Sequence, residues 1–177
     1  GKVYRKAHDE DIKNFTTFLK RLNEISGAVI GIGGNHDLLF EADLDLLYIF
    51  PWIFLCNDSV KFVDIVIYGS PANFRSAERD YRFHRAFSSW PNGEDFVAQK
   101  LSNLKKCHIL LTHQPPRTIL DETFYGENVG SKVILNKIQE IQPNLVVCGH
   151  IHEAAGTAKV GRTKVVNAAC STILTCF

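Results

Sequence analysis

The sequence predicts an α/β fold on two observations. Segments of helical and strand hydrophobic period alternate along the chain, and the residues suited to chemistry fall at the C-terminal ends of short apolar strands. The 177 residues suffice for one domain with a real core. No repeat, low-complexity stretch or linker divides residues 1–177, so a single domain is expected.

The elements read in order as follows. Asp9 to Ser26 carries Ile12, Phe15, Leu19, Leu22 and Ile25 on one helical face. Asp9 is placed to cap it, Glu10 and Asp11 suit the positive end of its dipole, and Gly27 stops it. Ala28 to Ile32 is a short strand running into Gly33-Gly34-Asn35-His36-Asp37. Strands are expected at Trp52–Cys56, Val60–Phe62 and Asp64–Tyr68, the last ending in Gly69-Ser70-Pro71. Asp95 to Leu104 reads as a helix with Phe96, Val97, Leu101 and Leu104 inward. Cys107 to Leu111 is a strand ending in Thr112-His113-Gln114-Pro115-Pro116. Ser131 caps a helix to about Ile141, and Pro143 marks its exit. Leu145 to Cys148 is a strand ending in Gly149-His150-Ile151-His152-Glu153, and Gly161-Arg162 turns a C-terminal hairpin.

Composition narrows the class of function. Hydrophobic residues at 45% and charged residues at 22% are those of an ordinary globular protein. A formal net charge of +1 gives no indication of nucleic acid or anionic lipid as a partner. No apolar run approaches the roughly 20 residues of a membrane helix, and the N-terminus shows no signal-peptide core. The five cysteines, an odd count without a C-x-x-C pair, argue against a disulfide framework or zinc ribbon. Cys56, Cys107 and Cys148 lie in or beside apolar runs and read as buried thiols, and a reducing, cytoplasmic setting is expected.

Taken singly, the polar motifs leave alternatives open. Gly34-Asn35-His36-Asp37 reads equally as a turn with solvated side chains, and His113 as a hydrogen-bonded loop residue. His150 and His152 say more, because in an extended segment residues two apart face one side and both imidazoles can reach one metal or two adjacent ones. Gly149 would let the backbone turn tightly just before them. Together they say more still. Neutral imidazole is a common ligand of zinc and iron, Asn35 offers a carbonyl oxygen, and four of the seven histidines fall at strand ends. His8, His84 and His108 lack that setting and read as surface or structural residues. Arg75, Arg79, Arg82 and Arg85 crowd one stretch; they suit steering of a phosphate ester but read more simply as a solvated face.

In order, Gly34-Asn35-His36-Asp37, Thr112-His113 and Gly149-His150-Ile151-His152 resemble the later motifs of the calcineurin-like metallophosphoesterases: G-N-H-D/E, a single H, and G-H-x-H. The small metallophosphoesterase domain-containing branch is the more similar, through Val66-Ile67-Tyr68-Gly69-Ser70-Pro71, Leu111 to Pro116, Gly149 to Glu153 and Val166-Asn167-Ala168-Ala169-Cys170. The resemblance implies two β-sheets packed face to face and flanked by helices. It implies that Asn35, His113 and His150 hold one divalent ion, that His152 holds another, and that His36 acts at the leaving group as acid or charge stabiliser. Two ions about 3.5–4 Å apart would share a bridging hydroxide that attacks phosphorus in line. Mixed N and O ligands suit Mn, Fe and Zn alike. The implied activity is hydrolysis of a small phosphomonoester or phosphodiester.

The family also opens with D-x-H and then G-D, which carry the first ion's Asp and His and the bridging Asp; neither pattern occurs in this sequence. The domain is therefore expected to be N-terminally incomplete, with those strands missing, one or two ions bound, and the chain alone weak or inactive. A longer protein, an oligomer or a partner chain would complete the sheet. The other reading that follows is a binding scaffold that keeps the fold without turnover.

Overall fold

The computed structural model describes residues 2–37, 50–74, 86–89 and 93–170, the side chains of 2–8 and 89 excepted. The arginines at 75, 79, 82 and 85 and the segment from Ser171 to Phe177 lie outside the described residues.

The chain opens with helix α1 (Lys2–Ile25). It starts upstream of the expected Asp9, which is an exposed interior residue rather than a cap. Nothing in Lys2 to His8 is Gly or Pro, so nothing stops the helix there. Leu19 is buried, with Ile12, Phe15 and Leu22 partly buried beside it, whereas Ile25, at the last turn, is 83% exposed. That face packs on Phe50, Trp52 and Phe87; the Phe15 ring stands edge-on to Phe50 at 5.1 Å and to Trp52 at 5.2 Å.

Strands β1 (Ile30–Gly31) and β2 (Ile53–Phe54) pair in parallel. The main sheet takes β3 (Asp58–Phe62), β4 (Ile65–Ser70), β7 (Ile109–Thr112), β8 (Leu145–Cys148), β9 (Gly156–Val160) and β10 (Thr163–Asn167), in the order β3-β4-β7-β8-β10-β9. Neighbours among β4, β7, β8 and β10 are parallel, and the edge strands β3 and β9 are antiparallel hairpin partners. A further parallel pair, β5 (Asn73–Phe74) with β6 (Ser88–Ser89), precedes helix α2 (Gly93–Leu101); α3 (Lys132–Ile141) joins β7 to β8.

One face of the main sheet, with Tyr68, Leu110, Val146 and Val165, is covered by Val97 and Leu101 of α2 and Ile134 and Ile138 of α3. Seven of these are fully buried aliphatics, each contributing about 1.5–3 kcal/mol by leaving water. The opposite face carries Ile67, Ile109, Leu145 and Val166. There the β1–β2 layer approaches at Gly69, where a Cβ would stand 2.4 Å from Leu55 Cβ and 2.7 Å from Ile32 Cγ2. The two layers meet because β4 offers no side chain at that point.

Cys107 and Cys148 are buried, and burial pushes both thiols up to about 12. Cys56 corrects the expectation: it is exposed, because the preceding Leu55 takes the inward position.

The start of α3 follows the sequence closely. Ser131, extended at φ −86° and ψ 127°, accepts the Ile134 N–H at 3.1 Å and donates to Glu94 Oε2 at 2.7 Å. Glu94 also accepts the Lys132 N–H at 2.8 Å, so α2 helps cap α3. Ser131→Ala removes a fully buried cap and one of the hydrogen bonds to Glu94. The expected loss is about 1–2 kcal/mol in a denaturant titration, and a loss under a few tenths would refute the cap's role.

Candidate metal centre

Because β4, β7, β8 and β10 run parallel, their C-terminal ends lie along one edge of the sheet. His113 follows β7 directly, and Gly149-His150 follows β8. From the other layer, the loop after β1 brings in Asn35 and His36. Asn35, His36, His113, His150 and His152 all line one open cavity of about 690 Å³. His36 and His152 are exposed, while Asn35, His113 and His150 are partly buried.

The Asn35 loop is fixed by its own ends. Asp37 accepts the Gly34 N–H at 2.6 Å, and its own N–H donates to Gly34 O at 3.0 Å. Burial raises the Asp37 carboxyl, opposed by the Gly34 N–H and then by His36. The loop is thereby closed on the residues that carry Asn35 and His36. Asp37 is a member of the motif whose part in this closure the sequence does not reveal.

His113 is where the layers meet. Its Nε2 lies 2.8 Å from Asn35 Oδ1 and accepts the Asn35 N–H at 3.3 Å, and its ring stands edge-on to His150 at 4.6 Å. Burial, followed by the charges of His150, His36 and His152, lowers its pKa to about 3, so it is neutral at any ordinary pH. The stability consequence has a definite sign. Below pH 6.5 the unfolded chain takes a proton on this histidine that the folded chain refuses until about pH 3. Stability is therefore full above pH 6.5 and falls as the pH drops, by up to about 1.4 kcal/mol per pH unit from this residue. Urea midpoints of the metal-free chain at pH 7.5 and 5 should show that fall. His113→Gln should flatten it; an unchanged slope would contradict the burial of a neutral imidazole.

His150 and His152 do not sit in an extended segment, which corrects the sequence expectation. His150 is left-handed at φ +70°, and the Ile151 N–H donates to Gly149 O at 2.8 Å across it. This is a turn of the rarer, positive-φ kind, costing on the order of 1–3 kcal/mol for a residue with a side chain. His152 then opens a short 3₁₀ turn, His152–Ala154. The tight turn is at His150 and not at Gly149, which has no positive φ and open space where a Cβ would be. Glu153, also unread in the sequence, accepts the Phe124 N–H at 2.8 Å and ties this turn to the loop before α3.

Among the described residues no group of three or more His, Cys, Asp or Glu is placed to hold an ion. The donors that do meet are mixed: the His113 imidazole, the His150 ring beside it and the Asn35 amide oxygen. With its proton on Nε2, His113 donates to Asn35 Oδ1; with it on Nδ1, a lone pair and an amide oxygen stand side by side. In that second tautomer His113 Nε2 and Asn35 Oδ1 would be the pair of donors open to a divalent ion. Neutral N and O donors suit a borderline ion.

A sequence profile described as metallophosphoesterase, calcineurin superfamily, matches residues 1–171. The chain belongs to this family. Metallophosphoesterase domain-containing protein 1 of Homo sapiens is 30% identical over 209 residues, covering 98% of this chain and 61% of the relative; the Mus musculus protein gives the same figures. One solved structure superposes with a TM-score of 0.70 at 20% identity, over 95% of this chain and 67% of that one. The TT1561 protein of Thermus thermophilus does so with a TM-score of 0.55 at 16% identity, over 89% and 70%. This metallophosphoesterase chain thus spans about 61% of the length of the curated relatives that it matches. No helix among its described residues is long and apolar enough to cross a membrane.

Proposed function

We propose that this metallophosphoesterase hydrolyses small phosphomonoesters or phosphodiesters with divalent metal ions. Asn35, His113 and His150 hold one ion, His152 reaches a second, and His36 serves the leaving group. The observation that supports this reading is that five residues from three separate loops line one cavity. Its volume of about 690 Å³ is that of a small-molecule site.

Mn, Fe or Zn at these donors supplies Lewis-acid polarisation of a phosphoryl oxygen and a more acidic water. The protein's share is positioning. His113, kept neutral by burial, presents a lone pair rather than a charge that would repel a cation. Asn35 is held against it by the closed Gly34–Asp37 loop. His36, exposed on the cavity wall, can give a proton to the departing oxygen or offset its charge. The exposed thiols Cys56 and Cys170 suit a reducing, cytoplasmic setting.

The test is hydrolysis of an aryl phosphate and an aryl phosphodiester with added Mn²⁺ or Zn²⁺. The 177-residue chain should bind at most one ion tightly and turn over weakly or not at all. A form extended upstream to carry D-x-H and G-D should gain strong metal-dependent activity. His36→Ala in that form should lose about 10²–10⁴-fold in rate while keeping its metal. Activity of the short chain that survives His113→Ala would overturn the reading. An inert, metal-loaded long form would return the scaffold.

A further inference from the structure

We propose that Asn167 is the positioning residue that sets His150 and His152, an inference resting on the metal-site reading above. Asn167 ends β10 and is wholly buried. Its Nδ2 donates to Ile151 O at 2.9 Å and to Leu120 O at 3.0 Å, and its Oδ1 accepts the Ala169 N–H at 3.0 Å. Both N–H donors of the amide and one acceptor position of its oxygen are thus used, and one of the donors holds the residue between the two histidines.

That location matters because the turn is strained. His150 is left-handed without being Gly or Asn, and such a conformation persists only where the surroundings over-determine it. Two bonds grip the turn on its near side: Gly149 N–H to His113 O at 3.0 Å and Ile151 N–H to Gly149 O at 2.8 Å. Asn167 supplies the grip on the far side, at the carbonyl of Ile151. It does so from β10, the strand paired with β8, so the clamp is as rigid as the sheet. Its second donor holds Leu120, and Glu153 holds Phe124, so the loop before α3 closes over the same turn. An amide is required for this. Only a side chain with two N–H groups and an acceptor on one short stem makes all three bonds.

The probe is Co²⁺, titrated into the 177-residue chain and followed by calorimetry and visible absorption. Asn167→Asp keeps shape and the Ala169 bond but turns both donors into an acceptor facing two carbonyls. It should weaken Co²⁺ by about 10–100-fold, the range for partners that orient a ligand, and alter the absorption bands. Asp121→Asn is the control. Asp121 accepts from Thr118 N–H, Gly130 N–H and Asn128 Nδ2, so its loss loosens the same loop without touching Ile151. That variant should keep the affinity even where it lowers stability. Equal Co²⁺ affinity in Asn167→Asp and the unaltered chain would overturn the proposal, as would an equal loss in Asp121→Asn. Where the carboxylate prevents folding, Asn167→Ala is read the same way. In the unaltered chain, Co²⁺ or Zn²⁺ should also move the Asn167 side-chain amide signal in NMR, and an unmoved signal counts against it. Should the unaltered chain take up no Co²⁺, the metal reading fails. The positioning claim is then decided by the ring signals of His150 and His152 in Asn167→Asp. Shifts concentrated on those two rings support it; unchanged or uniformly spread shifts overturn it.

Discussion

Replacing His113 with alanine should weaken divalent-ion binding by at least about 100-fold and remove metal-dependent hydrolysis from any active form of the protein. The estimate exceeds the 10–100-fold typical of residues that only orient a ligand, because here a proposed ligand itself is lost. His113 also joins the two layers: Asn35 approaches it from one and His150 from the other. The informative control is His108, five residues earlier at the other end of the same strand. Its Nδ1 accepts the Val66 N–H at 2.9 Å, and it does not line the cavity. His108→Ala should cost about 1–2 kcal/mol of stability and leave ion affinity unchanged. Calorimetric titration of both variants with Zn²⁺ settles the matter. Equal losses would mean that the histidines act through the fold and not as ligands.

The contrast between these two histidines indicates how far sequence reasoning reaches. His108 and His113 bracket an apolar strand, and only their ends distinguish them: His113 stands at the C-terminal end, where parallel strands of an α/β sheet present their loops. The same logic read β8 at its observed bounds, Leu145–Cys148, and found Ser131 as the cap of α3. Periodicity and capping are local signals, and those elements are locally determined. Other features depend on distant partners. The β5–β6 pair went unread because two-residue strands show no period of their own. The left-handed His150 went unread because nothing in Gly149-His150-Ile151 marks the histidine for positive φ. The sequence suggests Gly149 for the tight turn, whereas contacts from β7 and β10 impose it one residue later. Cys56 looks buried by its apolar neighbours, and the alternation set by Leu55 turns it outward. In each case the missing information is tertiary.

Two glycines of the site motifs should accordingly respond in opposite ways to alanine. A Cβ on Gly34 would stand 2.7 Å from His113 Cε1 and 2.8 Å from Nδ1, closer than such atoms approach. The imidazole cannot swing clear freely, because it is partly buried and packs edge-on against His150 at 4.6 Å. Either the ring leaves Asn35 or the Gly34–Asp37 loop opens, and both separate donors that the proposed metal site needs together. Gly34→Ala should therefore cost about 1–3 kcal/mol of stability, as overpacking does, and weaken Zn²⁺ by about tenfold or more. A Cβ on Gly149 meets nothing within 4 Å, and its φ is not in the left-handed region. Gly149→Ala should stay within about 0.5 kcal/mol of the unaltered chain and keep its Zn²⁺ affinity. Thermal melts and Zn²⁺ titrations of the two variants side by side are the measurement. If Gly149→Ala is the more damaging, the turn draws on Gly149 after all, and the placement of its strain on His150 is wrong. If Gly34→Ala binds Zn²⁺ normally, His113 has room to move, and its packed orientation is not what brings it to the metal.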